Sequence, residues 1–317
     1  MAISPEIEER IHQLEEKFRN SGQDMSSYLD GLLHDRYLTY WDYIHLDTLL
    51  SLQNPKTPFP DEMIFVTYHQ ITELYFKLII HEQLQIKDNP QLSADFFAEK
   101  IERINRYFRV LINSFDVMIK GMERAQFLKY RMSLLPASGF QSAQFRMIEF
   151  YSTPLNHLVH PDVRDDVKEK QTVEDLYENI YWKRGATDLK TGEKTLTLRQ
   201  FEKRYTPRFL RITRQVQNST IYHKYLELST EEQSNTLLVE ALRNFDMNAN
   251  VNWLLMHMGA AYRYLNDKNK VVDATGGTNW KSYLPPSFQR ISFFPNLWTE
   301  AEKQTWGKSW VDELISK

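Results

Sequence analysis

Two of the nine histidines stand where an imidazole could do chemistry. His69 lies in the middle of the run DEMIFVTYHQITELYFKLIIHEQLQI, with Phe65 one helical turn before it and Glu73 one turn after. An imidazole in apolar surroundings needs partners for its ring nitrogens. Either a neighbouring helix satisfies it as a core residue, or it faces a cavity as a polar group that accepts a substrate N–H or steers bound O2. His257 lies in NWLLMHMGAAYRYL, on a stripe formed by Phe245, Ala249, Trp253, His257, Ala260, Ala261 and Tyr264. Gly259 costs helix propensity, yet the Gly-Ala-Ala that follows the histidine leaves a flat space one turn on. A porphyrin beside an axial ligand needs such a space, and so does close packing of another helix; physics alone does not separate the two.

Two further features can bind a charged small molecule. Arg131 follows ERAQFLKY and precedes the break PASGF; its guanidinium suits a carboxylate, although an arginine in such a place is ordinarily on the surface. The loop ATGGTNW sets the Thr275 hydroxyl before two glycines whose N–H groups can approach a ligand closely, a pattern that also describes any tight turn. The remaining histidines have duller explanations. His12, His34 and His223 read as solvated. His157 and His160 are three apart, but Pro161 ends any helix there and no carboxylate stands at ligand spacing. The chain has no cysteine, so a redox metal must be held by histidine or carboxylate.

These residues need long helices to place them. Residues 4 to 20 read as a charged amphipathic helix, and TYWDYIHLDTLLSLQ as a second, short one, both arms rather than core. Pro58 and Pro60 stop the chain, and Asp61 and Glu62 favour a helix start. From there the His69 run makes about seven turns, apolar on nearly every face, as a central helix is. A long amphipathic helix from about 93 to 122 follows, with Phe97, Ile101, Ile104, Phe108, Leu111, Phe115 and Met118 on one face. Residues 155–230 are more polar and read as a peripheral helical insertion; helix returns from about 231 to 265 and closes in a Trp-rich C-terminal helix. The expectation is an all-α helical bundle, one domain over 1–317, with residues 1–50 as an N-terminal arm.

Composition agrees and narrows the function. Of 317 residues 42% are hydrophobic, enough for a large core, while 10 glycines and 12 prolines are too few for the turns of a many-stranded β fold. The formal charge is −3 and no Lys/Arg run forms a stripe, so nucleic acid is not the expected partner. The acidic start MAISPEIEERIHQLEEKF lacks the basic opening and apolar core of a signal peptide, and no stretch of about 18 uncharged apolar residues follows, so no membrane span is expected.

Taken together, YWDYIHLDTLLSLQ, DEMIFVTYHQITELYFKLIIHE, LLPASGFQSAQFRMIEF, the His257 helix, ATGGTNW and FFPNLW occur in the order and approximate spacing of the tryptophan 2,3-dioxygenases, and the chain resembles that family over about 39–151 and 240–300. The resemblance implies a cytoplasmic, homotetrameric (dimer of dimers) enzyme. It implies that haem b with ferrous iron and O2 open the C2–C3 bond of L-tryptophan to N-formylkynurenine, the first step of the kynurenine route. It makes His257 the proximal haem ligand and His69 the distal histidine that accepts the indole N–H, with Phe65 against the indole. Arg131 would hold the carboxylate, Thr275 the ammonium and carboxylate, Ser138 and Gly139 would line the distal haem face, and Tyr40, Tyr43 and Ile44 would reach the site from a neighbouring subunit.

One position departs from the pattern: Phe127 stands where the family commonly has a tyrosine, removing a hydroxyl from beside the substrate carboxylate. Two alternatives therefore stand beside the dioxygenase. One is a related haem monooxygenase acting on a tryptophan derivative, favoured by Phe127 and in need of a reductant. The other is a non-catalytic haem-binding helical protein, disfavoured by the presence of His69, Arg131 and the TGG loop.

Overall fold

Asp61 and Glu62 do start the central helix. Glu62 is fully buried, and its carboxylate accepts the backbone N–H groups of Lys56 and Thr57 at 2.8 and 2.7 Å, nailing the preceding segment to the first turn. The structure, a computed structural model, describes residues 3–35, 38–134, 139–164, 172–187, 191–265, 285–309 and 311. It divides into two compact units, 1–54 and 55–317.

The first unit holds α1 (Pro5–Asn20), α2 (Met25–Leu33), α3 (Tyr40–Tyr43) and α4 (Leu46–Leu50). Asp24 caps α2 by accepting the N–H groups of Ser26 and Ser27. None of these four helices buries a residue, and Leu32, Leu33, Tyr40, Trp41, Tyr43 and Leu50 are all more than half exposed.

The second unit is built round α5 (Asp61–Asp88). Next come α6 (Ala94–Ser114), capped by the Ser93 hydroxyl on the Phe96 N–H, α7 (Asp116–Lys120), α8 (Arg124–Tyr130) and α9 (Ala143–Ser152). After short helical turns come α10 (Leu196–Gln215), α11 (Ile221–Glu227), α12 (Thr236–Met247), a π turn at Asn248–Asn252, α13 (Trp253–Leu265) and α14 (Glu300–Thr305). Helix α6 packs between α5 and α12, and α9 covers another side of α5. Among the described residues the extended pairings are isolated bridges, so the fold is all-α as expected. No described helix is long and apolar enough to cross a membrane.

The single helix expected from 93 to 122 is divided at Phe115. The Tyr68 and Ser114 hydroxyls both donate to the Leu111 carbonyl, at 3.2 and 3.1 Å, taking the acceptor that a continuing α-helix would offer to the Phe115 N–H. That N–H turns to Ile112 instead, and the chain bends. In residues 155–230, Tyr177, Trp182, Phe201 and Phe209 lie in the same core cluster as α5 and α6.

Phe108 is fully buried on α6, with its ring 6.0 Å from that of Phe245 on α12. Phe108→Ala is expected to cost about 3–5 kcal/mol, read as a lower urea midpoint; a change under about 1 kcal/mol would show that the α6–α12 seam does not hold the bundle.

Candidate functional site

His257 sits one turn into α13, and its surroundings leave one nitrogen available. Nδ1 lies 2.9 Å from the Trp253 carbonyl. A carbonyl only accepts, so Nδ1 carries the proton and the lone pair is on Nε2. The ring packs against Phe115 at 4.8 Å and Trp253 at 4.6 Å. Burial, with the nearby charges of His69 and Arg146, holds its pKa down at about 4, against the opposing hydrogen bond to Trp253. The imidazole is therefore neutral, the form that binds metal.

His69, on α5, is locked in the same way: Nδ1 is 2.7 Å from the Phe65 carbonyl, so its partner is its own helix and not a neighbouring one. Its pKa is also lowered, chiefly by burial, although the residue keeps an exposed edge. Ring contacts run from His69 to Tyr68 (6.5 Å), Tyr68 to Phe115 (5.8 Å) and Phe115 to His257 (4.8 Å), so two helices bring both imidazoles to one aromatic cluster.

The Phe65 ring lies 4.1 Å from His69 and joins Phe127 and Tyr130 at 6.4 and 5.9 Å. Phe127 in turn is 4.5 Å from Tyr264 on α13. Both neighbouring hydroxyls are committed: Tyr264 donates to the Ile119 and Met122 carbonyls, and Tyr130 to the Met122 sulfur. Neither replaces the hydroxyl that Phe127 lacks. Arg131, directly after α8, is 6% exposed and not on the surface. Gly139 opens a 3₁₀ turn, Gly139–Gln141. Ser138 and Thr275 lie outside the described residues. Tyr40 and Tyr43, 71% and 73% exposed, and the half-buried Ile44 belong to the N-terminal unit.

Sequence reading missed a buried polar triad beside the cluster. Arg146 Nη1 donates to Glu149 at 3.0 Å and to the Tyr181 hydroxyl at 3.1 Å, and that hydroxyl donates to Glu149 at 2.5 Å. Burial pushes the Glu149 carboxyl up to about 7. The signal was an Arg and a Glu three apart within the otherwise apolar QFRMIEF. His223 is not solvated surface: it is half-buried and closes a capping box with Thr220 at the start of α11. His157 hydrogen-bonds to the Thr153 hydroxyl at 2.7 Å, and no cluster of three metal-ligating side chains occurs among the described residues.

The residues present fit a haem. A neutral imidazole with its Nδ1 proton fixed could offer Nε2 to an iron, and the next turn carries only the small residues Gly259, Ala260 and Ala261. A second imidazole, its pKa lowered chiefly by burial, stands across the same aromatic cluster.

Comparison with known proteins gives a consistent answer. The family profile described as Tryptophan 2,3-dioxygenase matches residues 31–176. A tryptophan 2,3-dioxygenase of Geobacillus thermodenitrificans is 30% identical over 283 residues, covering 83% of this chain and 91% of its own. That of Herpetosiphon aurantiacus is 30% identical, covering 82% and 96%, and that of Bradyrhizobium diazoefficiens 28% identical, covering 83% and 91%. Matches of this length extend well beyond the profile, which stops before the His257 helix.

The two strongly depressed histidines make stability depend on pH. His257 and His157 both fall from the ordinary 6.5 to about 4, His157 through burial and the nearby Arg164, His223 and Lys303 charges. Above pH 6.5 neither state binds the proton and nothing is lost; as pH falls from 6.5 towards 4 the unfolded chain takes it up first, at a cost of about 3 kcal/mol per group. The haem-free protein should lose urea stability over that window, and His257→Gln or His157→Gln should each flatten the slope. An unaltered slope in both variants would refute the buried neutral imidazoles.

Proposed function

The chain belongs to the tryptophan 2,3-dioxygenase family, and on that footing we propose that it opens the C2–C3 bond of the indole of L-tryptophan with O2 to give N-formylkynurenine, using haem b held by His257. What supports the ligand assignment is the neutral His257 imidazole with its Nδ1 proton spent on Trp253, taken with the small residues Gly259, Ala260 and Ala261 that follow it and with the family pattern. The shared activity of the relatives favours this reading over the monooxygenase and the non-catalytic alternatives.

Ferrous haem, when bound, supplies the activation of O2. The chain's own residues orient the substrate and exclude water. His69 keeps its Nδ1 proton on Phe65, so Nε2 is an acceptor for the indole N–H; Phe65 packs on the indole face. Arg131, already desolvated, holds the carboxylate. Thr275 contacts the ammonium and carboxylate, and Ser138 and Gly139 line the distal face, on the strength of the family pattern alone. Both atoms of O2 enter the product, so turnover consumes no reductant.

The N-terminal unit supports the proposed assembly. It buries none of its large apolar side chains within its own helices, and a surface of that kind calls for a partner. In a cytoplasmic homotetramer, a dimer of dimers, Tyr40, Tyr43 and Ile44 of a neighbouring copy complete the pocket.

Haem-loaded protein, reduced and then supplied with L-tryptophan and air, should form N-formylkynurenine over many turnovers without added reductant; product that stops at one equivalent, or requires reductant, overturns the dioxygenase. His257→Ala should abolish stoichiometric haem binding, while His69→Ala should keep haem and slow turnover. Phe127→Tyr should lower KM for L-tryptophan about ten-fold, since a hydrogen bond to a charged group is worth about 1.5–3 kcal/mol; an unchanged KM would show that the carboxylate does not lie beside this position.

A further inference from the structure

The sequence places Phe245, Ala249, Trp253 and His257 on one regular stripe, but the helix that carries them is not regular. Between α12 and α13 the chain makes a π turn at Asn248–Asn252, closed by the Trp253 N–H on the Asn248 carbonyl. A π turn inserts one residue into a helical turn, so everything after it is rotated by about 100° relative to an uninterrupted α-helix. Trp253 is the first residue after the turn, and its carbonyl fixes the His257 tautomer. The turn therefore sets the direction of both side chains.

The sequence of the turn is NANVN, and each of its three asparagines is tied through its side chain. Asn248 Nδ2 donates to Asn105 on α6 at 3.1 Å, and Asn105 donates to the Ala241 carbonyl of α12 at 2.9 Å. Asn252 Nδ2 donates to Asn248 Oδ1 at 3.2 Å, linking the last residue of the turn to the first. Asn250 Nδ2 donates to Asp246 Oδ1 at 2.9 Å. Asp246, fully buried, also accepts from Ser292, the Phe293 and Phe294 N–H groups and the Trp298 indole, so the turn is tied to the C-terminal segment as well. Asparagine is a poor residue for a helix interior because its side chain competes for hydrogen bonds. Three in five residues destabilise a plain α-helix, and here every one of their amides stabilises the π form.

Resting on the assignment of His257 as the haem ligand, we propose that Asn248, Asn250 and Asn252, with Asn105 and Asp246 behind them, are positioning residues that hold a π turn whose extra residue aims His257 and Trp253 into the aromatic cluster they share with Phe115. Their effect is on the ligand's orientation and not on its chemistry.

The test uses the full-length haem-loaded protein. Asn248→Ala removes two ties, and Asn252→Ala, at a half-buried position, removes the internal one with less risk to folding. Both should move or broaden the ferrous iron–histidine stretching band in resonance Raman spectra and speed haem loss to a scavenger at least ten-fold. Asn252→Gln, which keeps an amide donor, should restore the band. Ile104→Val, on α6 but outside the amide set, should lower thermal stability and leave the band where it is. Asparagine variants with an unmoved band and an unchanged rate of haem loss overturn the proposal, as does an equal shift in Ile104→Val. Failure of the ligand assignment looks different: His257→Ala would then keep the band, whereas failure of the amide set alone leaves a band that His257→Ala abolishes.

Discussion

The hydrogen bond from His257 Nδ1 to the Trp253 carbonyl commits one ring nitrogen and thereby dedicates the other. For that to matter the imidazole must stay neutral, which requires burial, and burial requires a bundle thick enough to keep water off one turn of helix. The layers of α5, α6 and α12 supply that thickness, with Phe97, Ile101, Ile104, Phe108 and Leu111 of α6 all fully buried between the other two. The bend at Phe115 then has a purpose that a straight helix would not serve. It turns the Phe115 ring against both Trp253 and His257, at 5.3 and 4.8 Å.

Charge is handled in the same interior by a different device. Arg146, Glu149 and Tyr181 are all buried and hydrogen-bonded to one another, so the cation near His257 is held against the Glu149 acid and a phenol. An unmatched guanidinium there would cost several kcal/mol. Asp246 follows the same rule with donors alone, offering two oxygens to five hydrogen-bond donors. Burial raises its pKa and those donors lower it. Hydrogen-bonded polar groups of this kind are one way a contact is held to a narrow range of orientations.

Much of this was legible in the sequence and some was not, for reasons that follow from distance along the chain. Periodicity located α5 and α6 because their apolar faces are local patterns. The start of α5 was legible in Asp61 and Glu62, although the role of Glu62 as a buried acceptor for Lys56 and Thr57 was not. The break at Phe115 depends on the Tyr68 hydroxyl, which lies far upstream and reaches Leu111 only in the folded bundle. Burial of Arg131 likewise depends on the packing round α8, and an isolated arginine looks the same in either setting. The π turn had a signal in NANVN, but the regular spacing from Phe245 to His257 concealed it, since a stripe at intervals of four is what an α-helix shows.

The two imidazoles carry the same lock, an Nδ1 proton on the carbonyl four residues back, so the lock does not decide which of them ligates iron. What differs is the space around each ring. His257 is followed by Gly259, Ala260 and Ala261, whose small side chains take up little space on the next turn. His69 has the Phe65 ring 4.1 Å away and tilted by 33°, so its face is already covered and its open edge is narrow. A covered ring with one outward lone pair suits a small donor such as an indole N–H better than a macrocycle. On the proposed reading, chemically identical side chains in the same tautomer take different partners because of the size of their neighbours, and the division of labour between α5 and α13 is one of shape before it is one of charge.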